Sequence, residues 1–233
     1  MIRSQSQLPL AIKLRDQAVF ASYYAGPNAE IVDQLQHYPM AGGGVIWLWG
    51  DSATGKSHLL QAMCAEIAQS AYLPVAQIES TGPDMLRGFD RFQLVCLDDI
   101  DLMPGNRAFE RSLFGLFQEL VTERSGTLMV SSTRAPRELT VHLADLKSRL
   151  LSGPVYRLVR LSEHERLQAI KQRAQRRGLE LTDETGEFLL RHFKRDMRSL
   201  CDLLDKLDTA ALVQQQRRLT VPLLKSAIAD PDH

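Results

Sequence analysis

The octapeptide Gly50-Asp51-Ser52-Ala53-Thr54-Gly55-Lys56-Ser57 constrains this chain more than any other stretch. It follows the apolar run Val45-Ile46-Trp47-Leu48-Trp49 and opens an amphipathic segment over 57–69. A glycine-punctuated turn between a buried strand and a helix start is the context a phosphate-binding P-loop requires. The spacing has a chemical reason. A phosphate chain needs several converging backbone N–H groups, and only a loop with little bulk at its glycines can wrap that closely. Lys56 is expected to reach the β and γ oxygens and Ser57 to offer its hydroxyl to Mg²⁺, with the positive end of the helix facing the anion. The expected ligand is ADP or ATP with Mg²⁺, touched by Gly50, Ser52, Ala53, Thr54, Gly55, Lys56, Ser57 and His58. The competing account is a glycine-rich turn that matches by chance, and the order strand, loop, lysine, hydroxyl, helix weighs against it.

Composition narrows the class. With 233 residues, 44% of them hydrophobic, the chain can bury a real core, as one large domain or a medium one plus a small one. Its 28 basic and 28 acidic residues cancel. No global field therefore draws it to nucleic acid or an anionic membrane, and any nucleic-acid contact is expected to be local. Cys64, Cys96 and Cys201 are far apart, odd in number and set among apolar neighbours. They read as small buried residues in a reducing compartment, without metal-ligand or disulfide spacing. No apolar run approaches the roughly 20 residues of a membrane span, and no signal-peptide core opens the chain, so a cytoplasmic location is predicted.

Residues 1–15 form a polar leader with one apolar cluster, Gln7-Leu8-Pro9-Leu10-Ala11-Ile12. Pro9 disfavours a helix there. An extended peptide of this kind can seat Leu8, Leu10 and Ile12 in a partner's pocket while Gln7 fixes the register, or it can dock its leucines on its own domain; spacing alone leaves both open. Next come Phe20, Tyr23 and Tyr24, then Gly26-Pro27-Asn28, with Asn28 placed as the N-cap of a helix to about residue 38. Phe20 is a candidate wall for a nucleotide base, packing under the first helix being its alternative.

Strands are expected at 74–78 and 93–97, the latter ending in Asp98-Asp99. An apolar strand ending in acid is the Walker B arrangement: Asp98 holds Mg²⁺ directly or through water, and Asp99 orients the attacking water. The pair can instead cap the next helix, but the P-loop favours the metal role. An amphipathic helix at 107–124 and a strand at 127–133 follow, and at the tip of that strand Ser132 or Thr133 is expected either to point toward a γ-phosphate or to be a surface hydroxyl without function. Alternating strands and helices predict an α/β fold, a mostly parallel sheet with helices on both faces and ligands at the carboxyl ends of its strands. A short strand at 155–159 leads to the capping box Ser162-Glu163-His164-Glu165 and a small helical lid, with helices at 163–177, 182–193 and 196–215 and a last one opening near Pro222. Arg198 opens the third lid helix and Arg149 lies on the segment leaving the fourth strand. Arg198 can reach a bound phosphate, and Arg149 can offer its guanidinium to a phosphate in a neighbouring molecule.

The order of parts, P-loop, Asp98-Asp99, polar strand tip, Leu146-Lys147-Ser148-Arg149-Leu150, lid and Asp196-Met197-Arg198-Ser199-Leu200, resembles the AAA+ ATPases of the DnaA branch. The resemblance runs from about residue 19 onward and implies sensor 1 at Thr133, the arginine finger at Arg149 and sensor 2 at Arg198. The chain stops after the lid, with no room for the helix-turn-helix domain by which initiators read duplex DNA, so no direct sequence-specific DNA binding is expected, and 79–92 is short for the extra helix pair of initiators. The Hda family of DnaA-related regulators is the expected match. In that family a Gln-Leu-x-Leu-x-Leu leader binds the DNA polymerase sliding clamp, which implies a clamp peptide at Gln7, Leu8, Leu10 and Ile12, with isoleucine at the last position. The implied organisation is a leader over 1–18, a base domain over 19–160 and a lid over 161–233. The implied partners are DnaA and the sliding clamp, with a homodimer possible. Two functions follow: an adaptor that triggers hydrolysis of ATP on DnaA, or a self-contained ATPase motor or loader, which the intact Lys56, Ser57, Asp98 and Asp99 permit.

Overall fold

A computed structural model describes residues 18–40, 42–102, 105–193, 197–213 and 216–229. The leader cluster of Gln7, Leu8, Leu10 and Ile12 lies outside them. Contacts divide the chain into two units, one of residues 1–20, 31–50 and 55–158, the other of 21–30, 51–54 and 159–233.

The first unit is built on a five-stranded sheet. In chain order the described elements are α1 (Ala29–Gln36), β1 (Gly44–Trp49), α2 (Lys56–Glu66), β2 (Ser70–Pro74), α3 (Val75–Thr81), β3 (Leu94–Asp98), α4 (Arg107–Phe117), β4 (Thr127–Ser132), α5 (Ala144–Leu150) and β5 (Val155–Arg157). The strands run in the order β2-β3-β4-β1-β5 and every pairing is parallel. Strands β3 and β4 are buried at every position, as a central parallel sheet requires, with apolar runs at Leu94–Leu97 and Leu128–Val130. A core of Val45, Trp47, Val95, Leu97, Leu128 and Val130 from the strands meets Phe109, Leu113, Leu116 and Phe117 of α4.

One expected strand is a helix. Residues 74–78 were expected to pair, but the edge strand is Ser70–Pro74, in register from Ser70 with Leu94 to Pro74 with Asp98. Pro74 has no N–H to continue a ladder. Val75 and Ile78, three residues apart, are both fully buried as one face of α3. Smaller shifts occur elsewhere. α4 gives way to a π-helical stretch at Gln118–Glu123, and β5 stops at Arg157. Asn28 is no N-cap: it ends a 3₁₀ turn, Gly26–Asn28, ahead of α1.

The second unit carries α6 (Glu163–Arg176), β6 (Glu180–Leu181), α7 (Asp183–His192), α8 (Met197–Val213), β7 (Arg218–Leu219) and α9 (Val221–Ala229). The expected capping box is formed, Ser162 accepting from the N–H of Glu165 while the Glu165 carboxylate accepts from the N–H of Ser162. Leu200, Leu204, Leu207 and Ala211, on one face of α8, pack with Leu189, Leu190, Leu223 and Leu224. The lid is not wholly helical, because β6 and β7 pair in a two-residue parallel ladder. Cys64 and Cys96 are buried as expected and Cys201 only partly. Among the described residues no helix is long and apolar enough to cross a membrane.

Candidate functional site

The loop between β1 and α2 departs from ordinary backbone at three places. Gly50 has φ 153°, Ala53 φ 63° and Gly55 φ 94°. At Gly50 a side chain is excluded twice over: by its dihedral, and because a Cβ would stand 2.5 Å from the Leu158 carbonyl oxygen. Gly55, in the left-handed region, turns the chain into Lys56, the first residue of α2. Lys56 is only 5% exposed, and its ammonium donates to the Gly50 carbonyl at 2.8 Å. The Thr54 hydroxyl donates to the carbonyl of Asp51 at 2.9 Å, and Asp51 pairs with Arg160 at 3.4 Å.

The acidic pair Asp98-Asp99, the expected Walker B, stands at the end of β3. Asp98 is 5% exposed, and both of its carboxylate oxygens accept a hydroxyl: Oδ2 from Tyr72 at 2.6 Å, Oδ1 from Ser131 at 2.5 Å. It does not serve as a helix cap. Ser131 in turn accepts the N–H of Asp99 at 2.8 Å, and Asp99 has φ 58°, a left-handed conformation that aspartate tolerates better than most residues. Burial and the Asp98 charge push the Tyr72 hydroxyl well above the ordinary tyrosine range, so it remains a donor.

The tip of β4 is held from below. Ser132 accepts from the Trp47 indole at 2.9 Å and donates to the Arg134 carbonyl at 2.7 Å. Thr133 gives both its N–H and its hydroxyl to Oδ2 of Asp101. The other carboxylate oxygen of Asp101 is buried with no hydrogen-bond partner among the described residues.

Two N-terminal residues have places that their spacing did not reveal. The Tyr23 hydroxyl donates to the Thr54 carbonyl at 3.1 Å, and burial pushes its pKa up to about 12. Asn28, 1% exposed, pairs its amide with Val159 as a second backbone would, Nδ2 to the carbonyl at 3.0 Å and Oδ1 from the N–H at 2.8 Å. Phe20 is buried at 6% exposure, and the His58 ring nitrogen Nε2 lies 3.0 Å from the Val19 carbonyl oxygen.

Arg149 sits in the last turn of α5. Its guanidinium lies 5.5 and 5.4 Å from the rings of Phe114 and Phe117 and pairs with Asp145 at 3.2 Å. About a third of the side chain is exposed. The seat for α5 is built by the buried Glu110 of α4, whose carboxylate takes the N–H groups of His142 and Leu143 at 2.9 to 3.0 Å. Arg198 falls in the first turn of α8, with its side chain outside the described atoms.

The donor set suits a hard cation. The Ser57 hydroxyl and the Asp98 carboxylate are oxygen ligands of the kind Mg²⁺ prefers, and no cluster of three His, Cys, Asp or Glu competes for a softer metal among the described residues. The glycine-bounded loop, the helix start and the buried Lys56 likewise fit a phosphate chain.

Comparison with known proteins bears on the fold. Residues 163–228 match the family model of the Hda lid domain, and 46–131, from β1 to β4, match an RNA helicase model. Domain III of the Thermotoga maritima replication initiation protein DnaA superposes with a TM-score of 0.73 at 19% identity, over 92% of this chain and 97% of that one. The chain has a DnaA-like fold, and its residues 163–228 are similar to the Hda lid domain. AMPPCP-bound DnaA from Aquifex aeolicus has the same fold, with a TM-score of 0.65 at 20% identity, over 83% of this chain and 65% of that one. The Thermotoga maritima RuvB Holliday junction branch migration motor is more distant, with a TM-score of 0.59 at 16% identity, over 84% of this chain and 64% of that one. At such identities the likeness is one of fold alone.

Proposed function

We propose that this chain is a nucleotide-bound AAA+ adaptor that inactivates a DnaA-type replication initiator. The observation that carries the reading is the match of residues 163–228 to the Hda lid, on a base domain with the DnaA-like fold. The P-loop holds ADP or ATP: backbone N–H groups of 50–57 and Lys56 bind the phosphates, Ser57 and Asp98 hold Mg²⁺, Arg198 reaches the phosphates, and Phe20 borders the base. When bound, Mg²⁺ neutralises charge on the phosphate oxygens. Asp99 orients a water, and Thr133 senses the γ-phosphate.

The leader residues Gln7, Leu8, Leu10 and Ile12 dock on the sliding clamp, and Arg149 acts on ATP bound to DnaA. Support for the last role comes from how Arg149 is held. Its ion pair with Asp145 is a partly exposed one of low strength, worth about 0 to 1 kcal/mol, so the guanidinium can be drawn to a stronger anion. The flanking phenylalanines and the Glu110 capped turn keep its starting position defined. A guanidinium offered to a neighbouring site acts on charge developing in the transition state and can contribute roughly 10³ to 10⁵ in turnover.

The test is ATP hydrolysis by DnaA with and without this protein and clamp loaded on DNA. Stimulation is expected from the parent and not from Arg149→Ala, and Arg149→Lys should restore little because an ammonium lacks the planar fork. Stimulation by Arg149→Ala at the parent rate overturns the trans-acting mechanism. The second reading, a self-contained ATPase, draws on the helicase-model match over 46–131 and on the complete set Lys56, Ser57, Asp98 and Asp99. Turnover by the isolated protein separates the two.

A further inference from the structure

Tyr72 has no place in the P-loop or Walker B patterns, yet its hydroxyl meets the Asp98 carboxylate. In the parallel register Tyr72 stands opposite Cys96, and Pro74 opposite Asp98, so Tyr72, Cys96 and Asp98 share one face of the sheet. Helix α2 covers that face, the Cys96 thiol lying against the Leu60 carbonyl. A tyrosine there is long enough to reach diagonally past Cys96 along the strand. Its hydroxyl ends 2.6 Å from Oδ2 of Asp98 and donates to it. Tyr72 therefore ties the edge strand β2 to the carboxylate at the end of β3.

The chemistry of the bond matters. Asp98 is nearly fully buried, and its oxygens are met by two neutral hydroxyls, Tyr72 on one and Ser131 on the other. Neutral donors orient a carboxylate without cancelling its charge, and each oxygen keeps a lone pair. Outer hydrogen bonds of this kind typically hold a metal ligand in its binding orientation, and losing one typically costs 10 to 100-fold in metal affinity. We propose that Tyr72 is a positioning residue for divalent cation binding, its hydroxyl fixing the orientation of the Asp98 carboxylate. This rests on the nucleotide-site reading above.

Tyr72→Phe removes the hydroxyl and keeps the ring. The measurement is binding of a fluorescent ADP analogue to the full chain, once with Mg²⁺ titrated in and once in EDTA, beside the melting curve of the free protein. Direct Mn²⁺ binding, read by electron paramagnetic resonance in the presence of ADP, gives the second readout. The Mg²⁺ concentration for half-effect should rise about tenfold or more, and Mn²⁺ binding should weaken in parallel, with affinity in EDTA and the melting curve unchanged. A variant that needs no more Mg²⁺ than a responsive parent overturns the inference alone. Equal loss in EDTA overturns it in favour of a packing role. A parent indifferent to Mg²⁺ overturns both the inference and the metal site beneath it.

Discussion

Lys56 shows how a single residue can be read twice. Its burial is the mark of a group held for a purpose, since a lysine is rarely covered without a partner, and here the ammonium donates to the Gly50 carbonyl within its own loop. A phosphate chain would offer it a full negative charge in place of a carbonyl dipole. Nucleotide at about 100 times its Kd stabilises a fold by roughly 2.7 kcal/mol, a rise of about 5 to 10 °C for a protein of this size. ADP with Mg²⁺ should therefore raise the melting temperature of the parent by several degrees and leave that of Lys56→Ala unmoved, as differential scanning fluorimetry would record. A parent with no shift removes the nucleotide site.

At the scale of elements, α4 organises the region around Arg149. Asn106 caps the helix, its side-chain oxygen accepting the N–H groups of Ala108 and Phe109 at 3.1 Å. One turn on, Glu110 caps the start of α5, and a further turn brings Phe114 and Phe117 under Arg149. Replacing Asn106 by alanine frees two N–H groups, and such caps are worth about 1 kcal/mol. Asn106→Ala should lower the urea midpoint by that amount with an unchanged slope, and an unaltered midpoint would show that the cap carries no net stability. The edge strand teaches a related lesson. Pro74 and the pair Val75 and Ile78 fit a strand or a helix by period alone, and the missing N–H of proline decided the outcome only once β3 was in place beside it.

For the whole molecule, the proposed division of labour is between a leader that binds and a folded body that acts. Alanine at both Gln7 and Leu8 should abolish binding to the sliding clamp, measured by surface plasmon resonance, while the melting curve and nucleotide affinity stay as in the parent. A matching fall in melting temperature would instead mean that the leader docks on its own domain.

The P-loop, the acidic end of β3 and the capping box at Ser162 were legible in the sequence because each is local: glycines, a lysine and a hydroxyl at fixed spacing, or a serine three residues ahead of a glutamate. Parallel pairing also followed from the alternation of apolar runs with amphipathic ones. The partners of the acids were not legible. Tyr72 and Ser131 meet Asp98 across 26 and 33 residues, and Asp101 holds Thr133 across 32, through strand order and register that no local pattern encodes. Asn28 was read as a cap by its neighbours, yet it bonds Val159, 131 residues away, because its amide matches a backbone left without a partner strand. Local spacing decided which groups gather in the P-loop and at the end of β3; the tertiary structure decided what orients them, since a side-chain hydrogen bond is set by where two strands lie and not by how far apart they are in the chain.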